Sequence, residues 1–485
     1  MLQGTGSDVG KSILTAALVR IAYRRGVSVA PFKPQNMSNN AAACQDGGEI
    51  GRAQALQAQA AKLDPRIDFN PVLLKPQTDR TAQVVVHGKA VSTSAAADYM
   101  RERGALLKPV LHSFTRLADE FDLIIVEGAG SPAEINLRVG DIANMGFARE
   151  AGVPVCLIAD IERGGVIASL VGTQTVLDKA DAAMITGFIV NKFRGDPRLF
   201  DAGVDAIVDH TGWQAFGVVP WLPTIARLPA EDAVNVAPLA PSQTDTLRIS
   251  APMLSRMANF DDADPLRQQH GVEFTWTPPG QPLPRDSDVV ILFGTKSTLG
   301  DLAFLREQGW DHDIHAHVRA GGRVLGICGG YQLLGNRIHD PAGVDGPPGS
   351  ADGLGLLNVE TTMTPEKNVQ QVTGACQQSR APINGYEIHV GDTHGPDCDR
   401  PLFQIHSHFD GATSKDGRIA GTYVHGMFTN DQYREYWLKN VGATSFRAYE
   451  YAAAVETALD ALADHVEAAL DIDALFAAAK PVSYR

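Results

Sequence analysis

No uninterrupted apolar stretch in this chain reaches the roughly 20 residues of a membrane-crossing helix, and a glycine-rich loop stands where a signal peptide would sit. A cytoplasmic protein with no membrane partner is expected. Cysteine is scarce: Cys44, Cys156, Cys328, Cys376 and Cys398 form no C-x-x-C pair, and an odd number leaves at least one thiol free. Neither a disulfide framework nor a zinc cage is indicated. Positive charge is in deficit, with 42 Lys and Arg against 56 Asp and Glu, a net charge of −14. This argues against nucleic acid or an anionic membrane as a general partner, and an anionic substrate would need a local basic pocket. Internal repeats and low-complexity tracts are also absent. Hydrophobic residues at 44% and charged residues at 20% are ordinary globular composition, which argues against disorder. A length of 485 residues suggests two or three domains, each large enough to bury a core.

What is present is a pair of reactive loops at opposite ends of the chain. Gly4-Thr-Gly-Ser-Asp-Val-Gly-Lys-Ser12 suits backbone amides wrapped around nucleotide phosphates. Gly4, Thr5, Gly6, Asp8, Val9 and Gly10 would form the cradle, Lys11 would reach the outer phosphates and Ser12 would bind Mg2+. Gly4 precedes Gly10 by six positions and no second lysine stands near the loop's start, a longer form that resembles the loop of dethiobiotin synthetase and its relatives, which activate carboxylates. Only Met1 and Leu2 remain of the strand that should feed the loop, so that strand is short or the start is late. Gly326-Ile-Cys-Gly-Gly330 suits a thiol raised on a sharp strand-to-helix turn, where the next amide can stabilise an oxyanion. ATP use beside a cysteine hydrolase points to glutamine-dependent amidation.

The first half alternates short apolar runs with amphipathic stretches. Val27 to Ala30, Leu123 to Val126, Val153 to Ile158, Phe188 to Val190 and Phe216 to Val219 read as buried strands, and Leu107, Val110, Leu111, Phe114 and Leu117 follow helical spacing. The pattern is a doubly wound, mostly parallel α/β sheet, whose ligands gather beyond the carboxyl ends of the strands. Lys33, Glu127, Asp160 and Asn191 all fall there. Ala237 to Asp245 has the composition of a linker. A second α/β pattern follows, with strands at Val289 to Phe293, Val324 to Ile327 and Thr422 to Val424, and Gly343 to Gly355 reads as a surface loop. The expected division is an ATP-binding domain over 1–235, a linker over 236–246, a second domain over 247–445 and a C-terminal helical segment over 446–485. The apolar stripe Val455, Leu459, Leu462, Val466 and Leu470 is expected to pack on the second domain.

Several side chains carry candidate chemistry. Glu127 opens Glu127-Gly-Ala-Gly130 after a strand, where a carboxylate can hold a magnesium ion or its water; the alternative is a plain turn. Glu49, in Gly47-Gly-Glu-Ile-Gly51, is a second metal candidate, or part of a solvated face. Cys328 pairs with a downstream His425 in Gly421-Thr-Tyr-Val-His-Gly426 as nucleophile and base; a buried structural cysteine is the alternative. His406 and His408 form a His-x-His pair with no third ligand in view, which favours a satisfied surface strand over a metal site.

Phe32-Lys-Pro-Gln-Asn-Met-Ser-Asn-Asn40, Asn70 to Pro76, Val126 to Leu137, Asp160-Ile-Glu-Arg-Gly-Gly165 and Gly329 to Gly335 together resemble the cobyric acid synthase family over nearly the whole chain. The resemblance implies a class I glutamine amidotransferase-like second domain. It also implies ATP-dependent amidation of four peripheral carboxylates of adenosylcobyrinic acid a,c-diamide, with L-glutamine as ammonia source. Carried over residue by residue, Cys328 is the glutaminase nucleophile and His425 its base. Lys11, Ser12 and Glu127 handle nucleotide and magnesium, and Lys33 helps to hold the phosphoryl group or the substrate carboxylate. Asp160, Glu162 and Arg163 line the corrinoid side. Two departures stand out: Met427 occupies the place, two residues after the histidine, where many class I glutaminases have an acid, and Phe293 stands where the family usually has proline.

Two rivals stay open at this point. One is a related amidase that acts on the a and c carboxylates of cobyrinic acid itself; the other is a partition-type ATPase switch. Phe32-Lys-Pro-Gln-Asn-Met-Ser38 argues against the first, and a cysteine elbow with no lysine at the loop's start argues against the second. A homo-oligomer is compatible with the sequence.

Overall fold

A computed structural model of the chain describes residues 1–229, 246–406 and 408–482. The expected linker at 236–246 lies outside the described residues except for its last position. In the first domain the strands Leu2–Gly4, Val155–Asp160, Ile185–Phe193 and Gln214–Pro220 run parallel in that spatial order. Val29–Phe32 and Leu123–Val126 form a parallel pair joined to this sheet where Leu2 bridges to Glu127. Every apolar run expected to be a strand here overlaps an observed strand. The reason is simple: such runs are buried on both faces by helices, the environment that selects continuous apolar strands. Val110, Leu111, Phe114 and Leu117 of the helix Leu107–Glu120 are buried as their spacing predicts.

The second domain has a sheet ordered Val272–Thr277, Leu247–Pro252, Val289–Leu292, Arg323–Ile327 and Ile419–Thr422, all parallel, with an antiparallel edge at Ala412–Thr413. Beside it lies a mostly antiparallel layer built on the long hairpin Glu360–Cys376 and Pro382–His394. The expected strand Thr422 to Val424 divides between the two layers: Thr422 ends the parallel strand, while Val424–His425 pairs antiparallel with Tyr386 and Glu387. That change of sheet brings His425 over the end of the strand that carries Cys328. Within the expected loop Gly343 to Gly355, Gly349–Asp352 pairs with Arg337–Asp340, and Asp345 is buried.

The C-terminal helix Tyr451–Ala469 corrects an expectation. Its stripe Val455, Leu459, Leu462 and Val466 packs on the first domain, in one core with Leu14, Ala17, Leu18 and Ile21 of the helix Lys11–Arg24. Charge decides the partner as well. The buried Arg20 guanidinium binds Asp460 at 2.8 Å and Glu456 at 2.9 Å, and Arg24 binds Asp464 at 2.7 Å. An apolar stripe specifies burial and leaves the partner open; the acidic flank of this helix matches the basic flank of the phosphate-loop helix. Among the described residues, no helix is long and apolar enough to cross a membrane.

Candidate active sites

The loop Gly4–Gly10 joins the strand Leu2–Gly4 to the helix Lys11–Arg24, and Gly10 turns the chain at φ 97° before the first helical residue. A Cβ at Gly4 would meet Gly6 O at 2.7 Å and Lys11 Nζ at 2.9 Å, and one at Gly10 would meet Asn191 Nδ2 at 2.2 Å. Only glycine permits this wrapping, which turns backbone amides toward an anion at a helix N-terminus. Thr5 N donates to Ile158 O at 2.9 Å, and Asn191 Nδ2 donates to Val9 O at 2.8 Å, so neighbouring strands fix the loop's shape. Lys192 binds the Asp8 carbonyl and, at 3.0 Å, Asp160 Oδ2. Lys11 Nζ donates to Gly6 O at 3.0 Å and Gly130 O at 3.1 Å, which holds an ammonium across the mouth of the loop.

Glu127 is the hub beneath it. Fully buried, it accepts from Ser12 Oγ at 2.7 Å, Lys33 Nζ at 2.8 Å, Gln57 Nε2 at 2.6 Å and Gln54 Nε2 at 3.3 Å. Burial alone would raise its pKa; the Lys33 ammonium and these donors overcome that and hold it below the usual carboxylate range. Ser12 and Glu127 thus offer a hydroxyl and an ionised carboxylate side by side, hard oxygens that suit magnesium. A cavity of about 380 Å3 opens beside the loop, lined by Gly6, Ser7, Gln35, Arg103, Ser131 and Asn144 among others.

Glu49 does not join this group. It is wholly buried between Lys75 Nζ, at 2.9 Å, and Lys367 Nζ, which reaches it from the long hairpin of the second domain. Both of its oxygens are taken by ammonium groups, which outweigh burial and hold its pKa at about 2. Its place is the seam between domains, and the reading of Glu49 as a metal ligand is corrected accordingly. Asp160 and Glu162 are engaged by Lys192 and Arg194, the latter at 2.6 Å, while Arg163 is exposed at the same rim.

The second centre lies at the end of Arg323–Ile327. Cys328 sits at φ 54° and ψ −113°, a strained left-hand conformation for a non-glycine residue, and caps the helix Gly329–Leu334. The close packing beneath is glycine-dependent, since a Cβ at Gly330 would lie 1.9 Å from Leu292 O. His425 faces the thiol: a Cβ added at Gly294 would lie 3.4 Å from His425 Cε1 and 3.6 Å from Cys328 Cβ. The residue that the sequence did not reveal is Asp262. Its Oδ2 lies 2.7 Å from His425 Nδ1 and its Oδ1 accepts from Gly426 N at 2.6 Å, which completes a Cys–His–Asp set without an acid at position 427. Burial would lower the His425 pKa, but the charges of Asp262 and Cys328 prevail and raise it to about 10. Met427 is instead a buried core residue. Phe293 also points away from the site, against Phe274 and Trp276 with ring centroids 6.3 and 5.2 Å away. A small cavity of about 40 Å3 borders Cys328 and His425 and is walled by Lys296, Lys367 and, from the first domain, Lys75. His406 and His408 bind Thr373 and Glu387, and no cluster of three or more metal-ligating side chains occurs among the described residues.

A nucleotide-phosphate cradle and a cysteine glutaminase centre within one chain define a two-domain glutamine amidotransferase. Residues 1–236 match the CobQ/CobB/MinD/ParA nucleotide binding domain, and residues 248–433 match the CobB/CobQ-like glutamine amidotransferase domain. The chain is 63% identical, over all of its length and 98% of the relative's, to a cobyric acid synthase of Hyphomonas neptunium. Cobyric acid synthases of Paracoccus denitrificans and Cereibacter sphaeroides are 62% and 60% identical, each with 99% of both chains covered. The chain belongs to the cobyric acid synthase family.

Proposed function

We propose that this protein uses ATP and glutamine to amidate the b, d, e and g carboxylates of adenosylcobyrinic acid a,c-diamide, yielding adenosylcobyric acid in the cytoplasm. The observation that carries the reading is the joining of Cys328, His425 and Asp262 to a phosphate loop in one chain, which supplies a nitrogen source and an acid-activating centre together. A carboxylate does not lose oxide at neutral pH. Transfer of the γ-phosphoryl group of ATP to its oxygen makes an acyl phosphate, whose phosphate leaves when ammonia attacks the carbonyl carbon. Lys11 and the loop amides would hold the phosphates while negative charge shifts to the leaving side. Lys33, paired with Glu127, would turn to a phosphoryl oxygen or to the acceptor carboxylate. Ser12 and Glu127 would hold the magnesium ion, which supplies charge neutralisation for the phosphates.

In the second domain the sulfur of Cys328 attacks the side-chain carbonyl of glutamine. The Gly329 amide, following the nucleophile, would receive the oxyanion. His425, held protonated by Asp262, gives its proton to the departing nitrogen, and the C–N bond breaks to leave a thioester and ammonia. Neutral His425 then takes a proton from the water that cleaves the thioester to glutamate.

The test is the nitrogen source. Cys328→Ala should abolish glutamine-dependent amide formation yet retain amidation with an ammonium salt. Loss of both activities in a folded variant would remove the assignment of Cys328.

A further inference from the structure

We propose that Asn40 and Arg52 of the first domain are positioning residues for the glutaminase, holding in place the segment that carries Asp262. The inference rests on the glutaminase reading of Cys328, His425 and Asp262 and extends it across the domain seam.

Asp262 lies in the turn Phe260–Ala263, which Asn259 introduces in a left-handed conformation at φ 53°. Asn259 is tied to the first domain on three sides. Its backbone N donates to Asn40 Oδ1 at 2.7 Å, its Nδ2 donates to Ala41 O at 2.9 Å, and its Oδ1 accepts from Ala41 N at 3.4 Å. The same Nδ2 donates to the hydroxyl of Tyr386 at 2.9 Å, and the Tyr386 ring stacks on His425 with centroids 5.2 Å apart. Two residues further on, the buried carboxylate of Asp261 forms an ion pair with Nε of the partly exposed Arg52 at 2.9 Å. The acid and the stacking partner of the catalytic imidazole therefore both lean on one first-domain segment.

That segment is continuous with the phosphate site. Arg52 N donates to Asn40 O at 3.0 Å and opens the helix Arg52–Ala60. Further along this helix, Gln54 and Gln57 bind Glu127, which holds Ser12. Asn36 Nδ2 also donates to Gln54 Oε1 at 2.8 Å. One short helix thus touches the triad-bearing turn at its first residue and the phosphate-loop carboxylate at its third and sixth. Hydrogen-bonded orientation of the base is what a triad acid contributes, and a displacement of about 1 Å can cost on the order of 10²-fold in rate. A glutaminase whose acid is seated by the partner domain is complete only when that domain is docked, which limits release of ammonia to the assembled enzyme.

The experiment measures glutamate release and ammonium-driven amidation by the full-length enzyme and two variants. Asn40→Ala deletes the acceptor for Asn259 N. It should lower kcat for glutamine hydrolysis by about tenfold or more, with KM for glutamine within about threefold, and should lower the ratio of glutamine-driven to ammonium-driven amidation to match. Asn40→Asp keeps an oxygen at the same place and should restore most of kcat. Unchanged hydrolysis in Asn40→Ala, an equal fall of both nitrogen-source activities, or failure of Asn40→Asp to rescue would overturn the proposal. Should Asn40→Ala not fold, Asp261→Asn is read in its place and must show the same selective fall. If the unaltered enzyme releases no glutamate, the glutaminase reading fails and not the seating alone.

Discussion

Asp262 should set how the glutaminase responds to pH, through the imidazole it holds. With its carboxylate against Nδ1, the His425 pKa is about 10 in the folded protein, above the ordinary histidine value of 6.5. A pKa raised on folding contributes stability that is fully present below about pH 6.5 and is lost as pH rises through 10. In Asp262→Asn the Asp262 share of that contribution is lost while the Cys328 share stays, so its deficit in denaturant midpoint against the unaltered protein should be largest near pH 6.5 and narrow toward pH 10. Its glutamine hydrolysis should fall by about 10²-fold, since the imidazole loses orientation as well as charge support. An equal stability deficit across that range would contradict the pair. At the other centre, Glu127→Gln removes the charge and keeps the shape. Amidation with ammonium should then require more magnesium and run more slowly. An unchanged magnesium dependence would remove Glu127 from metal binding, and Glu49 would not replace it, since Lys75 and Lys367 already occupy its oxygens.

Among elements, the C-terminal helix is an integral layer of the nucleotide-binding domain. Leu459 is wholly buried in the core that also holds Leu14, Leu18 and Ile21 of the phosphate-loop helix. Leu459→Ala should cost about 2–5 kcal/mol of stability, measured by denaturant unfolding. Ammonium-driven amidation should be lost at a lower temperature than in the unaltered protein, with glutamine hydrolysis falling alongside it because Asp262 is seated on the first domain; loss of hydrolysis while ammonium-driven amidation persists would place the helix with the second domain after all. The stripe Val455, Leu459, Leu462 and Val466 was legible in the sequence as a helix with one apolar face, because periodicity reports burial. Its partner was not, because that choice lies in Arg20, Arg24, Glu456, Asp460 and Asp464, whose pairing spans more than 430 positions. The same limit hid Asp262, which meets His425 across 163 positions with no local motif to mark it. The long hairpin Glu360–Cys376 and Pro382–His394 escaped for another reason: its strands are largely polar and half-exposed, so they carry no apolar run. By contrast Gly4–Ser12 and Gly326–Gly330 announce themselves, since glycine spacing encodes the backbone conformation directly.

For the whole molecule, the seam between domains is polar and strongly charged. Glu49 and Lys75 from one side meet Lys367 from the other. Burial, with the nearby Lys75 and Lys296, depresses the Lys367 pKa to about 7 while Glu49 stays ionised. Lys75, Lys296 and Lys367 wall the small cavity at Cys328, so the glutaminase centre borders the domain seam. An enzyme built this way should deliver nitrogen from glutamine to an acceptor bound at the phosphate-loop domain. The most direct measurement is mass spectrometry of adenosylcobyrinic acid a,c-diamide after incubation with the full-length protein, ATP, magnesium and glutamine. The account predicts successive products, each one carboxylate-to-amide conversion further on, ending at the fourth. ATP and glutamine turnover with no change in the mass of that acceptor would contradict it.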